Sequence, residues 1–319
     1  MDRAALDISA ITNRSVTRHI FMREDIKTAI IGVGAWGRHT ARELDAASRL
    51  TGFVSRKTSQ QEFHAAHGRN LQRLTIEEVL LDPAIVAVAI ATPISLLAGF
   101  ARAALEAGKH VLVEKPLAQT AVQAQSVADA AALRGLVLVT GYVFLYHQVC
   151  SELGRRLDPS RIRRVTLRWD KFGTFAEPIE QTLLTHHLAL ALHLFGEPRS
   201  GTIRKGPGTR TQCDSIEVRL DYGDFEAISL IDRTATQRRH DIEIEMTDGS
   251  RLIWDDMYLY RVRSEGALRE IIYHAKQTPL GIEVSSFVAA VSGKRRALPS
   301  AGDFAARVLA VGEMLEPIR

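Results

Sequence analysis

Three stretches of this 319-residue sequence carry turns or side chains able to do chemistry. The first is Gly32-Val-Gly34-Ala35-Trp36-Gly37, set between the apolar run Ala29–Ile31 and a helix-like stretch from His39. Glycines at this spacing allow a tight turn, let bare backbone approach a pyrophosphate, and bring a helix close to its strand. The N–H groups that open such a helix face an anion with a partial positive charge. The second stretch is Glu114-Lys115-Pro116, directly after His110-Val-Leu-Val113. A lysine at a strand end beside a cleft is desolvated, which lowers its pKa and lets it exchange protons. The third is the apolar stretch Thr182–Gly196, read as one helix, which carries His186, His187 and His193. No metal is expected there: neighbouring helix residues point about 100° apart, and no carboxylate or thiol partner is evident. His187 and His193 read as surface or packing histidines.

These residues need a scaffold, and the first half supplies a regular one. Strand-like runs at Ala29–Ile31, Arg49–Lys57, Ala84–Ala91, His110–Val113 and Leu136–Thr140 alternate with helical stretches. One helix opens at Thr75 with Glu78 at the capping-box position, another ends before Gly108, and a third starts at Thr120. Ala84–Ala91 is nearly all apolar, as a parallel strand buried on both faces reads. The alternation predicts a doubly wound parallel sheet, whose ligands lie beyond the carboxyl ends of the strands. Cofactor contacts are therefore expected at Gly32, Gly34, Ala35, Trp36 and Gly37, at Ala91, Thr92 and Pro93, and at Glu114 and Lys115. At the end of the second strand, an acidic residue would accept from the ribose 2′-hydroxyl of NAD. Ser55, Arg56 and Lys57 stand there instead, a hydroxyl and two cations suited to a phosphate monoester. NADP is the expected cofactor, with NAD as the alternative.

From Tyr142 onward the pattern changes. Arg163–Asp170 alternates polar and apolar, and Ser215–Ile231 and Ile242–Trp254 each give two strands joined at Asp221-Tyr-Gly-Asp224 and at Asp248-Gly249. Such hairpins predict an open, largely antiparallel sheet. The expected fold is α/β: an extension at 1–25, a Rossmann dinucleotide-binding domain at 26–141, and an α+β domain for substrate and oligomerisation at 142–319. Its last helix, near Pro299–Val311, is expected to return to the first domain.

Composition narrows the function classes. Hydrophobic content of 46% and charged content of 24% are those of an ordinary globular protein. Two cysteines suggest no disulfide framework or Cys-based metal site, and a reducing cytoplasm fits best. No apolar run reaches membrane-spanning length, and residues 1–25 lack a clear signal-peptide core. Nucleic acid is not an expected partner at a net charge of +4. The short basic clusters Arg238-Arg239-His240 and Lys294-Arg295-Arg296 read as solvated faces, attraction of an anionic substrate being the alternative.

The glycine turn, Ala91-Thr-Pro93, Ala107-Gly-Lys-His-Val-Leu-Val-Glu-Lys-Pro-Leu-Ala118 and the later histidine helix occur in an order and spacing that resembles the glucose–fructose oxidoreductase / inositol dehydrogenase (Gfo/Idh/MocA) family. The resemblance implies an NAD(P)-dependent dehydrogenase or reductase acting on a hydroxyl or keto carbon of a sugar, cyclitol or nucleotide-sugar. It implies a homodimer or homotetramer built through the second sheet. It places Lys115 between nicotinamide and substrate, polarising the oxygen, and His186 as general acid/base. Thr182 stands where relatives carry the Asp of Asp-x-x-x-His, and is expected to relay or hydrogen-bond in its place. Glu180 is the nearest upstream carboxylate. Ile94, Leu97 and Leu145 replace polar residues that relatives often carry. The competing expectation is a dinucleotide-binding sensor or regulator without turnover.

Overall fold

The computed structural model describes residues 25–68, 71–173, 175–294 and 298–318. The expected extension, Asp25 apart, and Arg295-Arg296 of one basic cluster lie outside the described residues.

The first half alternates as its pattern predicts. Lys27–Ile31 (β1), Arg49–Val54 (β2), Gln72–Arg73 (β3), Ile85–Ile90 (β4), His110–Glu114 (β5) and Leu138–Gly141 (β6) form one parallel sheet in the order β3-β2-β1-β4-β5-β6. The helices between them are Ala35–Ala47 (α1), Gln60–His67 (α2), Ile76–Leu81 (α3), Ile94–Glu106 (α4) and Ala121–Leu133 (α5). Ala29, Ile30, Ala87, Val88 and Ala89 are fully buried, as central strands covered on both faces must be. Thr75 caps α3 in a reciprocal box with Glu78, and Thr120 caps α5. The strand order reverses between β1 and β4, so their carboxyl ends diverge and leave a crevice.

Past Gln148–Arg156 (α6), the second half builds a nine-stranded open sheet. Its strands are Ile162–Asp170 (β7), Ser200–Lys205 (β8), Ser215–Asp221 (β9), Glu226–Asp232 (β10), Arg239–Met246 (β11), Arg251–Asp255 (β12), Tyr258–Val262 (β13), Glu270–His274 (β14) and Glu316–Pro317 (β15). The pairs β9–β10 and β11–β12 are antiparallel, as their turn sequences predict. β7–β10 and β8–β15 are parallel, so the sheet is mixed. One face buries Val165, Leu167, Trp169, Ala227, Ile231, Ile242 and Ile244 under the helix Thr185–Phe195 (α7) and its neighbours. The other face is laced with ion pairs, among them Arg168–Asp170, Arg219–Glu226 and Arg251–Glu243.

Pro279–Val291 (α8) and Phe304–Glu313 (α9) follow the second sheet. The segment that ends in α9 contacts β6 and α5. Thr140 N–H donates to the Ser300 carbonyl at 3.1 Å, and Ala121 N–H at the start of α5 donates to Glu313 at 2.7 Å. No helix among the described residues is long and apolar enough to cross a membrane.

Candidate active site

The glycine turn is built from backbone. Gly32 has φ +95°, and a Cβ there would stand 2.3 Å from the Ala91 carbonyl oxygen. At Gly37 a Cβ would lie 2.2 Å from the Gly32 carbonyl oxygen, so only glycine lets α1 sit this close to β1. Gly34 differs: a Cβ would meet nothing within 4 Å. Its neighbourhood is open because the backbone there faces the crevice. Gly34 is also the N-cap of α1, without a side-chain cap and without an acidic residue in the first turn. Free N–H groups facing open space at a helix N-terminus fit a pyrophosphate. Thr92 Oγ1, beside the turn, is buried with no hydrogen-bond partner, and Pro93 N-caps α4.

At the carboxyl end of β2, Arg56 and Lys57 are exposed, and Ser55 Oγ accepts from the Thr58 N–H at 3.0 Å. Arg73, which sequence reasoning missed, joins them: its Nη2 donates to the Ser55 carbonyl at 2.8 Å. The signal for Arg73 lay in register, since β3 runs parallel to β2 with Arg73 beside Phe53.

Lys115 stands at the end of β5, across the crevice. Its Nζ donates to the Thr182 carbonyl at 2.7 Å. Burial lowers its pKa, opposed by the neighbouring Glu114 and reinforced by the charge of Lys171. Glu114 is pushed the other way by burial, against Lys115 and against a hydrogen bond from the Trp36 indole. Trp36, 45% exposed, thus ties the glycine turn to the end of β5.

The histidine stretch differs from expectation in its first turn. Glu180–Leu184 is a π-turn, and the α-helix begins only at Thr185. Such widened turns are frequent at functional sites. The Thr182 hydroxyl donates back to the Pro178 carbonyl at 3.0 Å, so it is not the expected relay to His186. Thr182 contributes its carbonyl instead, as the anchor for Lys115. A threonine here satisfies its own hydroxyl within the turn, the back-bonding habit of this residue. Glu180 is no substitute for the missing carboxylate, because it pairs with Lys205 at 2.6 Å.

His186 lies against three rings, two from the turn after β6 and one from β7: Phe144 at 5.1 Å, Tyr142 at 6.5 Å and Trp169 at 5.4 Å between centroids. It is 7% exposed and its Nδ1 has no partner. Burial first, and then the charge of Lys115, hold its pKa well below the usual imidazole value. The lowered pKa leaves the imidazole neutral and able to accept a hydrogen bond, beside a Lys115 whose own pKa is lowered. His187 is a packing histidine, one of the two roles expected for it. It is 1% exposed, with Nδ1 on Ser229 Oγ at 2.7 Å and Nε2 unpartnered. His193, by contrast, is exposed.

Sequence reasoning also missed His240, which stands directly opposite Trp169 across β7 and β11 with ring centroids 4.5 Å apart. It packs on Phe144 at 4.7 Å, and its Nε2 is buried without a partner. Leu145 and Leu97 are buried in the core, and Ile94 opens α4. Among the described residues no group of three or more His, Cys, Asp or Glu is placed to hold a metal ion.

Residues 26–142 match the oxidoreductase family with an NAD-binding Rossmann fold, Gfo/Idh/MocA. The chain is 30% identical over 175 residues to scyllo-inositol 2-dehydrogenase (NADP(+)) IolW of Bacillus subtilis, covering 48% of this chain and 47% of that protein. It is 32% identical over 128 residues to UDP-N-acetylglucosamine 3-dehydrogenase of Acidithiobacillus ferrooxidans, covering 40% of each. The chain thus spans about half, or less, of the length of these curated relatives. The solved structure of that second protein, GnnA, superposes with a TM-score of 0.80 at 23% identity, covering 92% of this chain and 98% of that one. The fold, second sheet included, is therefore shared with that structure.

Proposed function

We propose that this chain is an NADP-preferring oxidoreductase acting on a hydroxyl or keto carbon of a sugar, cyclitol or nucleotide-linked sugar. The observation that carries the reading is Lys115: a desolvated lysine at the crevice, held by the Thr182 carbonyl beside a neutral His186. Relatives named as a cyclitol and a nucleotide-sugar dehydrogenase support the substrate class. The basic corner of Arg56, Lys57 and Arg73 supports NADP, as does the NADP(+) in one relative's name.

Gly32, Gly34 and Gly37, with the free N–H groups of Ala35 and Trp36, would hold the pyrophosphate; Ala91, Thr92, Pro93 and Glu114 would line the path toward the nicotinamide. Bound nicotinamide supplies or accepts the hydride. Lys115 gives a proton to the substrate oxygen on reduction and takes it back on oxidation. His186, uncharged, accepts a hydrogen bond from the substrate hydroxyl and orients it. The rings of Trp169, Phe144 and Tyr142 keep water from this corner. Pairing of two or four copies through the open sheet face belongs to the same reading, and light scattering tests it: a monomer at micromolar concentration rejects it.

The deciding experiment mixes the full chain with NADPH and a panel of keto-sugars, keto-cyclitols and nucleotide-linked keto-sugars, and follows the nicotinamide absorbance band. Oxidation with at least one class is expected. Tight NADPH binding with no oxidation across the panel would instead support the sensor reading.

A further inference from the structure

The inner face of the second sheet ends in two cations that nothing in the described structure pairs. Trp169 faces inward, so by strand alternation Lys171 does too, and Asp170 points to the outer face. The backbone keeps strand geometry past the end of β7, since Lys171 N–H still donates to the Asp232 carbonyl at 2.9 Å. Across the ladder Asp170 opposes Arg239 and Trp169 opposes His240. One step further the same antiparallel register sets Lys171 against Arg238, on the face that carries Trp169 and His240. The charge of Lys171 reaches Lys115, and the charge of Arg238 reaches His240, in each case opposing protonation there.

The contrast with the surrounding charges is informative. On the outer face Arg168 pairs with Asp170, and Arg239 pairs with Asp241. Arg233, which follows β10 on the inner face, is taken by Asp214 at 3.2 Å. The side chains of Lys171 and Arg238 have neither a hydrogen bond nor an ion pair among the described residues. Lys171 acts on Lys115 and the exposed Arg238 acts on His240, at the edge of a floor made by Trp169, Phe144 and His240; Asp241, Asp255 and Asp256 line the cavity beside Arg238 without pairing with it. A neutral polyol leaves the Lys171 and Arg238 side chains without a partner of opposite charge. An oxyanion supplies one.

We propose that Lys171 and Arg238 form an anion subsite, so that the substrate carries a carboxylate or phosphate beyond a flat or apolar body lying against Trp169 and Phe144. This deepens the oxidoreductase reading and rests on it for the word substrate. The subsite itself can be tested without turnover. Calorimetry on the full chain, with and without NADPH, would compare indole-3-carboxylate and phenyl phosphate with the neutral indole-3-carboxamide. Both anions should bind at least about tenfold tighter than the amide, and each of Lys171→Met and Arg238→Met should remove about tenfold of anion affinity. The double variant should bind anion and amide alike. A variant carrying Arg56→Met and Lys57→Met should keep the anion preference, which separates this subsite from the cofactor's phosphate corner. Preference for only one of the two anions would fix which oxyanion is read. An amide that binds as well as the anions, a preference that survives the double variant, or no anion binding at all would overturn the proposal. Failure of NADPH to bind would overturn the oxidoreductase reading alone, because the cofactor-free arm still reports on Lys171 and Arg238.

Discussion

The two walls of the crevice are made differently. The glycine turn positions a ligand with backbone: Gly32 and Gly37 are fixed by contacts closer than 2.5 Å to a hypothetical Cβ, and Gly34 by the emptiness around it. The opposite wall is made of side chains brought from separate elements, Lys115 from β5, Phe144 from the turn after β6, Trp169 from β7, His186 from α7 and His240 from β11. Backbone sites are local in sequence and tolerant of what surrounds them. Side-chain sites are set by tertiary register and can be retuned one residue at a time, without change to the fold that carries them.

The sharpest way to separate the walls is Lys115→Met. Turnover on an accepted substrate should fall by about 10²–10⁴-fold while NADPH affinity stays within about threefold. Carbonyl reduction by the unaltered protein should decline as pH rises through about 8, where the ammonium donor is lost, and oxidation should rise over the same range. His186→Asn should lower the rate but leave that pH limb in place. A limb that vanishes with His186 and persists with Lys115→Met would return the proton to the imidazole.

The backbone wall should fail in two distinct ways. Gly34→Asp places a good helix N-cap in open space, so stability should hold within about 0.5 kcal/mol. Its carboxylate would occupy the anion position, and NADPH affinity should drop on the order of 100-fold. Gly37→Ala forces a Cβ against the Gly32 carbonyl and should destabilise the fold by about 1–3 kcal/mol in urea unfolding. If both variants lost stability and cofactor together, the division between a steric glycine and a ligand-facing one would be wrong.

A smaller effect belongs to the ribose corner. Removing Arg56 and Lys57 together should cost NADPH about tenfold in affinity and leave NADH nearly unchanged, as titrations of each cofactor would show. Equal affinities of the unaltered protein for both would end the NADP assignment. Arg73→Ala should add to the loss.

What was legible in the sequence divides along the same line. The parallel sheet, the Thr75 and Thr120 caps, both hairpins and the glycine turn were readable because each is set by neighbours a few residues apart. Lys115 was readable as a strand-end residue. The π-turn was not, since an apolar stretch has the same period whether or not one turn widens, and with it went the switch from the Thr182 hydroxyl to its carbonyl. His240 was hidden inside a basic cluster that looked solvated. Only the register of β11 on β7 shows that His240 turns inward against Trp169.

The smallest expected effect concerns Glu283, behind the side-chain wall on α8. It is 1% exposed, and its Oε1 has no partner among the described residues. Burial, and secondarily the charge of Glu114, raise its pKa well above the ordinary 4.5. A carboxyl that stays protonated in the folded chain and ionises in the unfolded one makes stability fall as pH rises above the unfolded value, until the folded group itself ionises. Glu114 disfavours a negative charge on Glu283, while Tyr146, paired with Ser300, is a neutral phenol whose own ionisation Glu283 opposes. Glu283→Gln keeps the shape and removes the proton. It should cost little at pH 5 and gain on the order of 1 kcal/mol over the unaltered protein by pH 8, measured by urea unfolding at both values. An equal difference at the two pH values would mean that Glu283 ionises in place with a cation beside it, and that this side of the crevice carries a charge rather than a neutral acid.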